Sequence, residues 1–159
     1  MTKFQRTNQL RSRRRGATII EFALITPVIL GMLLGIMEFG WLVKNHLTLA
    51  NATREGARAA GVGSTSTDTR NRVINGGAPL SFVSPNGSIV LQYSLNNDTT
   101  YQGWPADLAA SSTMPARNGV PPGKMIKITS TSKHKSLTGF FPFLQNRNLQ
   151  VSVVMRREP

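Results

Sequence analysis

The chain has 159 residues, a formal net charge of +12 and no cysteine. That length leaves room for one modest domain beyond any membrane segment, and the missing thiols exclude disulfides, thiolate nucleophiles and cysteine-based zinc or iron–sulfur sites. The only histidines, His46 and His134, are far apart, and His134 stands between Lys133 and Lys135, so neither a metal nor another cofactor is expected.

Lys3, Arg6, Arg11, Arg13, Arg14 and Arg15 precede Gly16 with no acid among them, which concentrates the charge in residues 1–16. This leader has no reading helix, groove-inserting strand or aromatic platform, so no nucleic-acid partner is expected from its charge. From Phe22 to Met37 the sequence FALITPVILGMLLGIM is uncharged, and the wider window 17–43 is interrupted only by Glu21 and Glu38. At 1.5 Å per residue the two windows cover roughly 24 Å and roughly 40 Å, which bracket the ~30 Å hydrocarbon core of a bilayer. One crossing of a lipid bilayer is therefore predicted. A soluble domain this small could not bury a helix that is apolar all round. Because basic clusters stay on the cytoplasmic side, the N-terminus is expected inside and the rest of the chain exported. Ala50-Asn51-Ala52 offers a signal-peptidase-like site, but it lies too far beyond the apolar run for a cleaved secretory signal.

The leader meets the apolar run at Arg15-Gly16-Ala17-Thr18-Ile19-Ile20-Glu21-Phe22. This stretch resembles the processing site of prepilins, in which a membrane aspartyl peptidase cuts after a glycine and a glutamate is the fifth residue of the mature chain, followed by an aromatic. The resemblance implies cleavage between Gly16 and Ala17, with Glu21 as mature residue five and Phe22 after it. It also implies that Glu21 holds register during assembly. Physically, cleavage would expose an α-amine on Ala17 about one helical turn from the Glu21 carboxylate, and a carboxylate inside a bilayer is costly unless paired. The alternative for Glu21 is that it only snorkels to the interface.

Further along, Pro27, the run Gly35-Ile36-Met37-Glu38-Phe39-Gly40 and Arg54-Glu55-Gly56-Ala57-Arg58-Ala59-Ala60 resemble the N-terminal signature of the TadE-like family, pilin-like proteins of the tight-adherence (Flp) pilus system. Val153-Val154-Met155-Arg156-Arg157-Glu158 also resembles how these chains end. The resemblance implies a prepilin peptidase, other pilin-like subunits and an inner-membrane pilus platform as partners. It implies a peptidase substrate, not an enzyme, located in a bacterial inner membrane and able to enter a pilus.

Independently of the family, Gly31, Gly35 and Glu38 fall on one helix face, which suits either close helix–helix contact or ordinary packing. Pro27 removes one backbone hydrogen bond and is expected to kink the helix. Residues 44–60 lack proline and are rich in alanine and leucine, so the helix is predicted to continue to residue 60. Glu55 and Arg58 are spaced as an i,i+3 pair.

The breaker-rich stretch 61–67 is a predicted linker, and Asp68 to Ile74 reads as a short helix capped by Asp68. The glycines at 61 and 63 begin a dinucleotide-binding pattern, but Ser66 occupies the third glycine position and no strand precedes. Three alternating stretches, 88–95, 124–131 and 149–156, predict half-buried strands of a three- or four-stranded antiparallel sheet. The expected fold class is α+β and pilin-like: a long transmembrane helix extended into an exported head of residues 68–159. Tyr101, Trp104, Phe140, Phe141 and Phe143 fit either a contact surface or a small core. Asp68, Asp98 and Asp107 fall in predicted loops without a partner histidine or cysteine, so no catalytic constellation is expected.

Overall fold

The computed structural model describes residues 6–82, 88–94, 100–111 and 117–159, with side chains described from Gly16 onward; Asp98 lies outside them. Helix α1 runs Arg6–Gly61, 56 residues, or about 84 Å at 1.5 Å per residue. It begins earlier than the apolar pattern suggests. Arginine, glutamine and leucine are good helix formers, and no proline precedes Pro27, so Gly16 by itself does not stop the helix. Helical backbone continues through Pro27, just before which the Thr26 hydroxyl donates 2.6 Å to the Phe22 carbonyl.

Helix α1 ends in a Schellman motif. The Ser64 amide donates to the Ala59 carbonyl and the Gly63 amide to the Ala60 carbonyl, each at 3.0 Å, while Gly63 has φ +98°, a conformation open to glycine without strain. Helix α2 follows at once as Ser66–Gly76. Its cap is Thr65, not Asp68: the Thr65 hydroxyl accepts from the Asp68 amide at 3.1 Å and donates to the Asp68 carboxylate at 2.8 Å. An aspartate three residues after the cap closes the reciprocal capping arrangement, and this is what overrides the simpler reading of Asp68 as the cap.

The four strands are β1 (Ile89–Ser94), β2 (Tyr101–Gly103), β3 (Met125–Lys133) and β4 (Asn148–Arg156), with a 3-10 turn at Pro142–Leu144 between the last two. They form one antiparallel sheet in the order β2-β1-β3-β4. The period-2 pattern sets the faces: Ile89 and Leu91 in β1 and Ile126 and Ile128 in β3 point into the core. The fold is α+β, a long apolar N-terminal helix followed by a small antiparallel sheet.

The chain divides into two compact units, Met1–Gly40 and Trp41–Pro159. In the second, the core joins Ala52, Ala57 and Ala60 of α1, Val73 of α2 and the inward isoleucines and leucine of the sheet. Small residues on α1 let its neighbours approach closely. Within this unit β3 runs antiparallel to the distal part of α1. At one end Gly61 abuts Met155, the partner of Ile126; at the other, Asn45 Nδ2 is 3.3 Å from His134 Nδ1. The helix rise from residue 45 to 61 is about 24 Å, and that of a strand from 126 to 134 about 26 Å, so the two elements are matched in length.

Candidate assembly helix and the base of the head

In the first unit, the most apolar 18-residue window of α1 has a mean hydropathy of 2.3 and none of it is buried. Phe22 is 70% exposed and Leu24 78%, and side chains such as Ile29 and Leu33 are likewise open. A continuous apolar sleeve of this extent requires a nonaqueous environment. A Cβ built at Gly16 would meet no heavy atom within 4 Å. The Gly16–Ala17 bond lies inside the helix, so presenting it in extended form requires local unwinding. Ala17, Glu21 and Phe22 are all exposed. Glu38 contrasts with Glu21: it is 0% exposed, and Gly31 and Gly35, on its helix face, are half-buried.

In the second unit, Arg54, Glu55, Gly56, Ala57 and Arg58 divide by helix face. Gly56 and Ala57 are buried, whereas the three charged residues are exposed. Gly56 faces α2, where a Cβ would overlap the Val73 Cγ2 methyl and stand 3.4 Å from the Thr69 carbonyl. The ion pair of Glu55 is with Arg72 of α2, at 3.5 Å, rather than with Arg58. Docking of α2 brings the Arg72 guanidinium across to α1, a tertiary partner that spacing along one helix cannot reveal. Both side chains are about half exposed, which limits the pair to a few tenths of a kcal/mol up to about 1 kcal/mol. Arg54 Nη1 donates 3.3 Å to Asn51 Oδ1.

The end of α1 is held from distant parts of the chain. Asn118 Nδ2 donates to the carbonyls of Ala60 (2.9 Å) and Ser64 (3.0 Å). Buried Arg157 donates through Nη1 to the Gly61 carbonyl at 3.1 Å, and the Glu158 amide reaches the same oxygen at 2.9 Å. A cation and several donors thus meet the negative end of the helix dipole. At the start of α2 the Asp107 carboxylate accepts from the Ser66 amide (3.0 and 2.9 Å), the Ser66 hydroxyl (2.6 Å) and Trp104 Nε1 (3.4 Å). Asp107 is therefore a helix-capping anion in this fold.

The family model described as TadE-like protein matches residues 16–58. The chain carries a TadE-like segment. That segment begins at Gly16, includes Glu21, Gly31, Gly35 and Glu38, and ends at Arg58, so it covers most of α1 and none of the sheet. Neither the curated proteins nor the solved structures gave a match. Within the TadE-like segment the structure separates an exposed apolar stretch from a buried Gly56-Ala57 seat for α2. Asn118, Asp107 and Trp41 carry no local sequence signal for their contacts. Arg157 does have one, since it lies in the terminal Val153–Glu158 stretch.

Among the aromatics, Trp104 packs against the core, whereas Phe140 and Phe143 are exposed. Of the two alternatives open in the sequence, the core reading therefore fits Trp104 and does not fit Phe140 and Phe143. Among the described residues there is no cluster of three or more metal-ligating side chains.

Proposed function

We propose that this chain is a minor pilin-like subunit of a tight-adherence pilus, anchored in a bacterial inner membrane by α1, with its N-terminus cytoplasmic and the unit from Trp41 onward exported. A prepilin peptidase cuts between Gly16 and Ala17 and leaves the apolar helix on the mature protein. The observation that supports this best is the unburied apolar sleeve of α1 inside a TadE-like segment, because such a sleeve suits lipid before assembly and neighbouring helices after it. The family links the chain to pilus systems in general, and the single apolar helix suits membrane anchoring.

In the mature subunit the new α-amine of Ala17 pairs with the Glu21 carboxylate of the same or a neighbouring subunit, so that neither charge is left alone in lipid. Gly31 and Gly35, still half open, lie on the face on which neighbouring helices pack, while Glu38 on the same face is already covered within the chain. Arg54, Glu55 and Arg58 remain on the surface, while Gly56 and Ala57 join helix to head. Mass analysis of the N-terminus in cells with and without the peptidase tests the processing step: a product starting at Ala17 only when the peptidase is present is expected, and an unprocessed chain in both strains refutes it.

The unbroken helix across Gly16 and Ala17 favours a second reading, an uncleaved single-pass scaffold at the base of the pilus or secretion machinery. Presence in sheared filaments supports the first reading; exclusive recovery with membranes supports the second.

A further inference from the structure

The end of the second unit opposite Gly61 is built unlike the rest of the head. Trp41 Nε1 donates 3.2 Å to the Lys135 carbonyl, which ties the loop after β3 to α1 where the apolar window 17–43 gives way to Lys44. The Lys44 Nζ sits 4.3 Å from the centre of the Trp41 ring. A tryptophan and a lysine at this point of an apolar helix form the usual anchor at a membrane–water interface. The loop closes on itself at its neck, where the His134 amide donates 2.8 Å to the Arg147 carbonyl and the Asn146 amide 3.0 Å to the His134 carbonyl.

Beyond that neck the apolar side chains turn outward. Leu137, Phe140 and Phe143 are 50%, 58% and 64% exposed. Phe141 braces both phenylalanines by edge contacts, with ring centres 5.1 and 5.7 Å apart. Lys133, Lys135 and Arg147 stand at or beside the neck of this loop, and no acid occurs between Lys133 and Arg157. A cleft of about 450 Å³ has Trp41, Lys133 and Lys135 in its walls. Exposed apolar rings on a loop whose neck carries only cations are the composition of an interfacial lipid contact. Because β3 runs antiparallel to distal α1, the loop lies at the end of the head nearest Trp41.

We infer that the loop of residues 134–147 is a second membrane contact, which rests Leu137, Phe140 and Phe143 in the surface of the anionic bilayer that α1 crosses. The occupant is lipid because the loop is held at the helix position where the bilayer ends, and its charge complements anionic headgroups. The loop then fixes the tilt of the head on the membrane, and pulling the subunit out of the bilayer must also detach it.

The inference rests on the reading of α1 as a membrane span, and the test separates the two. The chain lacks cysteine, so the full-length variants Leu137→Cys, Leu30→Cys and Val62→Cys each take one environment-sensitive fluorophore. They are reconstituted in phosphatidylcholine vesicles with or without phosphatidylglycerol, and quenching by lipids brominated along the acyl chain is read. Leu30 and Leu137 labels are expected to be quenched and the Val62 label, at the far end of α1, to remain bright. Adding Lys133→Gln and Lys135→Gln is expected to lower the docked-to-free ratio of the loop about fivefold per charge in phosphatidylglycerol vesicles and to change it little in phosphatidylcholine. A quenched Leu30 label beside a Leu137 label as bright as that at Val62 overturns the loop contact and leaves the span standing. An unquenched Leu30 label overturns both. A Leu137 signal that follows protein density and ignores the quencher also overturns the inference, since the loop would then cover a second subunit.

Discussion

Gly56→Ala tests how the TadE-like segment joins the head. The added methyl overlaps Val73 Cγ2 and lies 3.4 Å from the Thr69 carbonyl, both on α2. Alanine would gain about 1 kcal/mol of helix propensity over glycine at an open site. Overpacking a closed contact costs about 1–3 kcal/mol, so a net loss of about 1 kcal/mol is expected, or about 4 °C in Tm for a unit of this size. Val73→Ala alone removes two buried methyls and costs about 2 kcal/mol. In the double variant the new methyl fills space that the valine vacates, so the two losses should not add. The expected coupling is about 1 kcal/mol or more in favour of the pair. Urea titration of the full chain in nonionic detergent, followed through the fluorescence of Trp104, packed against the core, and of Trp41, measures all four proteins. Gly56→Ala as stable as the parent, with effects that add to those of Val73→Ala, would refute the claim that close helix approach requires glycine there.

Glu21→Ala is expected to leave membrane insertion intact and to abolish or strongly reduce recovery in sheared filaments, because a charge buried without its partner costs about 3–5 kcal/mol; wild-type levels of filament-borne protein would exclude the pairing with the Ala17 amine. Gly16→Val is expected to slow formation of the Ala17-started product, since a bulky side chain would stand where the resemblance to prepilins calls for glycine beside the scissile bond; N-terminal mass analysis over time reads this, and an unchanged rate counts against processing at Gly16. Arg157→Met keeps much of the side-chain volume but removes the charged donor to the Gly61 carbonyl, and a loss of about 1.5–3 kcal/mol is expected in the same urea titration. Asp107→Asn is expected to be milder, because the amide oxygen can still accept from the Ser66 amide while the charge at the start of α2 is lost; a change below about 0.3 kcal/mol would show that the charge contributes nothing there.

The parts of the fold that depend on local pattern were legible in the sequence. The uninterrupted apolar run marked the exposed part of α1, and alternation marked β1, β3 and β4 to within a few residues. Strand β2 was not visible, because Tyr101–Gly103 is too short to show a period and is defined by its pairing with β1. The early start of α1 was missed for a related reason: hydropathy locates the span, but the basic residues before it form helix just as readily. Glu55 shows the limit of spacing arguments. An i,i+3 partner can be read along one helix, whereas Arg72 enters only when α2 docks. Asp107, Asn118 and Trp41 were equally silent, since each ties the fold together through a bond to a residue at least 41 positions away. The glycine and alanine of the Arg54–Arg58 signature had a visible identity but no visible task until the position of Val73 gave them one.

The termination of α1 carries a consequence for biogenesis. The carbonyls of Ala60 and Gly61 receive donors from Asn118 and Arg157, residues that follow 58 and 96 positions later. The Schellman bonds from Gly63 and Ser64 close the Ala60 and Ala59 carbonyls locally, but the Gly61 carbonyl stays hydrated until Arg157 and the Glu158 amide reach it. A product lacking β4 and the residues after it would keep the Schellman turn but leave the Gly61 carbonyl without these two donors. The helix is thus sealed in two stages, first by its own turn and then by the docking of β4.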